Sequence, residues 1–146
     1  MADLRIVRAD GDALFRDWRQ VHNTIIPTHA LSLEDVRERG ARNALDVAYA
    51  GDALVGCMTV RPPEGEDATV TVIARVLPEY RRQGHGTRLY EQGLAQARAL
   101  GAGAVETVVL ESNHDGLLFA LAQGFVEVER YLLDGDTIPY ITLRLP

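Results

Sequence analysis

Val76-Leu77-Pro78-Glu79-Tyr80-Arg81-Arg82-Gln83-Gly84-His85-Gly86-Thr87 is the stretch on which the reading of this chain turns. Ahead of it, Val70, Val72 and Ala74 alternate as strand residues do, and the pattern runs to about Leu77. Beyond Gly84, Leu89, Tyr90, Gly93, Ala97 and Leu100 fall on one side of a helix that Gly101 stops. The stretch therefore joins a strand to a helix N-terminus, where free backbone N–H groups and the positive end of the helix dipole make an anion site. Gly84 and Gly86 lack a Cβ, so the backbone can bend sharply and a ligand can touch it. Between Arg75 and Arg88 four arginines oppose Glu79 alone, a net +3, which leaves −9 for the remainder of a chain whose total is −6. A polyanion such as a pyrophosphate is the expected ligand.

Outward from that junction, the strand–helix–strand run over Thr69–Leu110 is a βαβ unit with parallel strands, because a crossover helix returns the chain in the same direction. Val105–Leu110 is its second strand, with few polar positions, as expected when both faces are covered. Toward the N-terminus, Leu4–Arg8 reads as a strand and Asp12–Val21 as a helix capped by Asp10. His22–Leu31 is irregular around Pro27. Ser32 opens a second helix that Gly40 closes. Leu45, Val47 and Tyr49 alternate up to the turn at Gly51-Asp52, and Leu54–Arg61 returns as the second arm of a hairpin. Toward the C-terminus, Asp115–Gln123 is a mostly apolar helix, and Phe125–Leu132 and Ile138–Leu145 are the last strands. The order β-α-α-β-β-β-α-β-α-β-β predicts an α/β (α+β) fold. Its twisted mixed sheet has six to seven strands with helices on both faces, and one domain spans residues 1–146.

The bulk properties bound the function. A length of 146 residues with 47% hydrophobic and 25% charged residues is that of an ordinary globular domain. An acidic balance argues against a nucleic-acid binder, which carries a basic face. No run approaches the length of a membrane span, and Asp3, Asp10 and Asp12 interrupt any secretory leader, so a cytoplasmic protein is expected. The single cysteine, Cys57, lies in the apolar run Ala53–Val60 with no Cys or His beside it, which reads as core packing and leaves no basis for a metal site.

Both common nucleotide motifs fail. Gly84-His85-Gly86 lacks the third glycine of a dinucleotide fingerprint, and a Walker loop needs a lysine, of which the chain has none. Arg81-Arg82-Gln83-Gly84-His85-Gly86 instead resembles the Arg/Gln-x-x-Gly-x-Gly/Ala signature of the GNAT superfamily, the acyl-CoA-dependent N-acyltransferases. Val76-x-Pro78-x-Tyr80-Arg81 leads into it as in that family, and Asn113 and Gln123-Gly124-Phe125 extend the likeness. It is strong over Thr69–Tyr131 and topological over the first 60 residues.

The resemblance implies acetyl-CoA as co-substrate. Backbone amides of Arg82, Gln83, Gly84, His85, Gly86 and Thr87 would hold the pyrophosphate, and Arg81 would shape the loop or meet phosphate. Ala74 and Val76 would pair with the pantetheine arm, the Val76 amide would serve as a one-donor oxyanion site, and Asn113 would hydrogen-bond the pantetheine. Two departures stand out. Ala120 occupies the position where many members carry an acidic tyrosine, and Thr69-Val70-Thr71-Val72 lacks the glutamate that often serves as base. His29 is the candidate base, with His22 beside it, because an imidazole can take an ammonium proton. Tyr131 is the candidate acid and Tyr140 its alternative. The expected reaction is acetyl transfer from acetyl-CoA to a primary amine of a small molecule, by direct attack in a ternary complex. A protein or peptide N-acetyltransferase and a non-catalytic acyl-CoA sensor are the alternatives, and a homodimer is left open.

Overall fold

The computed structural model describes residues 3–146. Strand β1 (Leu4–Arg8) leads into helix α1 (Asp12–Ile25), a 3-10 turn (Pro27–His29) and helix α2 (Leu33–Arg42). Strands β2 (Ala44–Ala50), β3 (Ala53–Val60) and β4 (Thr69–Val76) follow, then a second 3-10 turn (Pro78–Tyr80) and helix α3 (His85–Ala99). Strand β5 (Ala104–Leu110), helix α4 (His114–Ala122) and strands β6 (Val126–Tyr131) and β7 (Tyr140–Arg144) complete the order. The seven strands form one mixed sheet in the order β1-β2-β3-β4-β5-β7-β6. Only β4 and β5 run parallel, as the crossover through α3 requires; every other pair is antiparallel. No helix among the described residues is long and apolar enough to cross a membrane.

Two apolar layers sandwich the sheet. On one face Leu89, Tyr90 and Ala97 of α3 pack with Met58, Val70 and Val72. On the other, Trp18 and Val21 of α1 and Val36 of α2 pack with Val47, Cys57 and Leu77. Trp18 is fully buried and its indole N–H donates to the Met58 carbonyl at 3.3 Å, so its polar edge is satisfied. Each fully buried aliphatic side chain stabilises the fold by about 1.5–3 kcal/mol.

One irregularity positions everything that follows. The parallel ladder between β4 and β5 covers only Thr69–Thr71 against Ala104–Glu106. Beyond it, β4 stays paired with β3 as far as Val76, and β5 stays paired with β7 as far as Leu110. The sheet splits there into two halves, each holding one lip of the opening.

Several boundaries differ from expectation for identifiable reasons. Helix α1 is capped by Gly11, at φ +96°, without any side-chain bond from Asp10, and it continues through His22 to Ile25. Gly40 does not end α2; a Cβ there would lie 2.8 Å from the Phe15 ring, so the glycine permits helix-to-helix contact and α2 runs to Arg42. The Ser32 cap holds as expected, in a reciprocal box with Asp35. Leu100 is 49% exposed, because it falls at the C-cap of α3 where the apolar side has turned away from the sheet. Strand β5 is covered along one face and, on the other, only at its end, where Leu110 is buried. Thr107 and Val109 are buried on the α3 side, whereas Glu106 and Val108 line an open groove on the other. Strands β6 and β7 are shorter than expected, and Phe125 is buried just ahead of β6.

Candidate active site

Strand alternation decides which backbone groups face the opening. Arg61 N–H donates to the Thr71 carbonyl, and Leu77 N–H donates to the Val55 carbonyl, so odd-numbered residues of β4 direct their backbone at β3. Ala74 and Val76 lie between them in the register and direct N–H and C=O the opposite way, into the gap left by β5. A cavity of about 330 Å³ opens at this edge. Of the residues expected to contact the coenzyme, Ala74, Val76, Arg81, Arg82, Gly84, His85, Gly86, Thr87 and Asn113 line it, and Gln83 alone does not.

The turn that feeds α3 has the shape the glycines foreshadowed. Gly84 caps the helix at φ +83°, and Arg82 is held at φ +64°, an uncommon region for a residue with a side chain. A Cβ on Gly84 would meet no atom within 4 Å, so the space above it is open. A Cβ on Gly86 would lie 2.9 Å from the Phe119 ring, so this glycine serves packing between α3 and α4. The Nε2 atom of His85 is buried without a hydrogen-bond partner beside the cavity. An open anion-binding turn, an orphaned ring nitrogen and the unpaired edge of β4 together fit a phosphate-bearing ligand with an amide-rich arm.

Two side chains are committed to the protein itself. Arg81 donates from Nε to the Val76 carbonyl at 2.9 Å and from its guanidinium to Asp115 at 3.0 Å, which ties the turn to both lips of the opening. Asn113 caps α4, its Oδ1 accepting from Gly116 N–H at 3.1 Å, and its Nδ2 is left for another partner.

On the α1–α2 side, His29 converges with three residues from the β6–β7 hairpin, more than a hundred positions away. His29 Nε2 lies 2.9 Å from Asp136 Oδ1, and His29 Nδ1 is hydrogen-bonded to the Tyr140 hydroxyl. With Nε2–H donating to the carboxylate, Nδ1 accepts from the phenol. Tyr131 stacks on Tyr140 with ring centroids 5.7 Å apart and is not bonded to His29. Burial raises the pKa of Tyr140, partly offset by the nearby Arg75 charge. Of the two candidate tyrosines, Tyr140 is therefore the one joined to His29, and Asp136, in the connection between β6 and β7, completes the chain. Nothing in the sequence pairs positions more than a hundred residues apart.

Other candidates fall elsewhere. His22 is 4% exposed, stacked on Trp18 at 5.3 Å and bonded to Asn23; burial lowers its pKa to about 4, so it is a neutral core residue. Cys57 is fully buried and burial pushes its thiol up to about 12, which leaves no reactive thiolate. Ala120 is packed in the core. Thr69 and Thr71 line a wider groove of about 560 Å³ together with Glu106, Glu129 and Tyr131.

Comparison with known proteins gives the geometry a lineage. No curated protein matches the chain. Among solved structures, yncA from Salmonella typhimurium with its cofactor acetyl-CoA is similar at 16% identity and a TM-score of 0.75, over 97% of this chain and 92% of that one. The ribosomal-protein-S18-alanine N-acetyltransferase from Escherichia coli is similar at 17% identity and a TM-score of 0.75, over 99% and 94%. Arabidopsis thaliana NAA60 in complex with a bisubstrate analogue is similar at 16% identity and a TM-score of 0.76, over 97% of each chain. These likenesses are of fold. The model of the Acetyltransferase (GNAT) family matches residues 12–125, from the first turn of α1 to the Gly-Phe pair ahead of β6, and the chain belongs to that family.

Proposed function

We propose that this chain transfers an acetyl group from acetyl-CoA to the primary amine of a small molecule, by direct attack within a ternary complex. The observation that carries the reading is the split between β4 and β5, which turns the backbone of Ala74 and Val76 into a cavity that ends at the Arg82–Thr87 turn. In the bound state the coenzyme supplies the acetyl group as a thioester. The amides of Arg82–Thr87 hold its pyrophosphate, and Arg82, which is exposed and has no carboxylate partner among the described residues, adds positive charge there. Ala74 and the Asn113 amide bind the pantetheine arm. Val76 N–H donates to the thioester carbonyl oxygen, a contact that strengthens as negative charge develops there.

Tyr140 handles the leaving group. Its hydroxyl gives a proton to the departing sulfur, and the phenolate so formed takes up the proton shed by the acylated nitrogen, so the phenol ends as it began. His29 positions that hydroxyl through Nδ1, and Asp136 orients the imidazole through Nε2–H. Raised by burial, the Tyr140 pKa keeps the phenol protonated and able to act as an acid at neutral pH.

The wider groove beside Tyr131, about 560 Å³ in volume, favours a second reading, a peptide or protein N-terminus as acceptor. Thiol release measured over small amines, amino acids and short peptides separates the two, with coenzyme A affinity measured by calorimetry alongside. Turnover confined to peptides makes the second reading correct. Coenzyme binding without turnover of any amine makes the chain a sensor.

A further inference from the structure

Three arginines on the acceptor side have no partner. Arg75 of β4, Arg39 of α2 and Arg61 at the end of β3 make no side-chain hydrogen bond and no ion pair among the described residues. The other arginines without an ion pair or side-chain hydrogen bond, such as Arg16, Arg82, Arg88 and Arg98, are exposed to water, whereas these three are partly buried. Arg75 is the most enclosed. Its side chain lies on the α1 face of the sheet, opposite Cys57 in the register, and it lines both the 330 Å³ cavity and a narrow cleft of about 20 Å³ between the two lips. Desolvation is the largest influence on it and lowers its pKa. A guanidinium does not lose its proton in a protein, so this one remains a cation in a poorly hydrated place.

The three charges share one neighbourhood. Arg75 and Arg39 both act electrostatically on Tyr140, and Arg61 acts on Tyr131, whose ring stacks on that of Tyr140. The carboxylates nearby are engaged or outside. Asp136 is bonded to His29, Glu106 is paired with Arg144, and Asp35 is taken up in the α2 capping box. Glu129 and Glu64 line the outer groove, which Arg61 also lines, so Arg61 is the least isolated of the three, and neither carboxylate lines the cavity or the cleft that Arg75 faces. A buried cation without a counter-ion is costly, and the cost is removed when a ligand brings the anion.

Resting on the acetyl-transfer reading above, we propose that the acceptor is a small amine that also bears a carboxylate, held by Arg75 with Arg39 and Arg61 while its amine faces Tyr140 and the Val76 edge. An acidic chain would by bulk charge attract a cationic amine; Arg75, which faces the cavity and the cleft without an ion pair among the described residues, calls for an anionic group there.

The test uses matched pairs that differ only in the carboxylate, such as phenylalanine with phenethylamine and tyrosine with tyramine. Thiol release should favour the carboxylated member of at least one pair by about tenfold or more in kcat/KM, the scale of one charge-assisted hydrogen bond. Calorimetry on the coenzyme A complex should likewise show the N-acetylated amino acid binding about tenfold or more tightly than the N-acetylated amine. Arg75→Met should abolish both preferences by raising KM for the carboxylated member while the KM of the plain amine changes little. Arg39→Gln, on a surface helix, should reduce the preference in the same direction and serves if Arg75→Met does not fold. Equal use of both members, or preference for the amine, overturns the proposal while leaving acetyl transfer intact. Failure of the wild-type protein to bind coenzyme A overturns the acetyl-transfer reading, and this proposal with it.

Discussion

His29 and Asp136, 107 residues apart in the chain, meet at 2.9 Å between Nε2 and Oδ1. That contact fixes the imidazole so that its other nitrogen accepts from Tyr140, on the first residue of β7. Tyr140 itself sits opposite Leu110, the last residue of β5, at one lip of the split sheet. The contact thus links the turn after α1 to the turn before β7 across the acceptor side.

Tyr140→Phe should lower kcat about a hundredfold, the usual contribution of a positioned acid, with coenzyme A affinity retained. Tyr131→Phe should cost much less, because its hydroxyl is not bonded to His29. Asp136→Asn should give a smaller loss than Tyr140→Phe, since it weakens the orientation of His29 without removing the phenol. The wild-type rate should decline only on the alkaline side of the ordinary tyrosine range, because burial raises the Tyr140 pKa, and Tyr140→Phe should lack that limb. Steady-state kinetics across pH checks all four statements. A larger loss in Tyr131→Phe than in Tyr140→Phe would transfer the acid role to Tyr131.

Gly84→Ala should separate binding from folding. The added methyl meets no protein atom within 4 Å, so the cost to stability is the left-handed backbone alone, about 1–2 kcal/mol. Coenzyme A affinity should fall at least about tenfold, since the methyl stands where phosphate would approach the amides. Gly86→Ala should instead lower the melting temperature more, because its methyl meets the Phe119 ring that also packs on Tyr90. Calorimetric affinity and thermal melts on the two variants are the measurements.

Arg81 and Arg82 should respond differently although they are adjacent. Arg82→Ala removes an exposed charge and should weaken coenzyme A more than pantetheine, with the difference shrinking in high salt. Arg81→Ala removes the ties to the Val76 carbonyl and Asp115, so both ligands should weaken together and the melting temperature should drop. Equal behaviour of the two variants would mean that Arg81 contacts phosphate after all.

His22 should make stability depend on pH. Its folded pKa of about 4 lies below the ordinary value of 6.5, so on acidification the unfolded chain takes the proton first. The contribution is complete above about pH 6.5 and is lost as pH falls toward 4, about 3 kcal/mol in all. Denaturant melts at pH 7 and pH 4.5 should show the loss, and His22→Gln should flatten it. An unchanged slope in that variant would place the acid sensitivity elsewhere.

Local chemistry was legible in the chain because it is local. Alternation over Thr69–Val76 and helical spacing after Gly84 locate the strand–turn–helix junction, and two glycines within three residues mark the turn that lines the cavity. Parallel β4 and β5 follow from the crossover helix between them. The Ser32 cap and the turn at Gly51-Asp52 likewise need only neighbours. Gly40 misled for the complementary reason: its role is a contact with Phe15, on another helix, and composition cannot distinguish a glycine that stops a helix from one that lets two helices touch.

What tertiary structure alone decided is which residues meet. Register and sheet twist set where β4 and β5 part, and so which amides of β4 are left unpaired. Packing joined His29 to Tyr140 rather than Tyr131, recruited Asp136 from a turn, and drew His22 into the core as a neutral group. It also enclosed Arg75 without a counter-ion. A sequence records that a charge exists, but the cost of that charge depends on the water and partners around it, and those are properties of the folded arrangement.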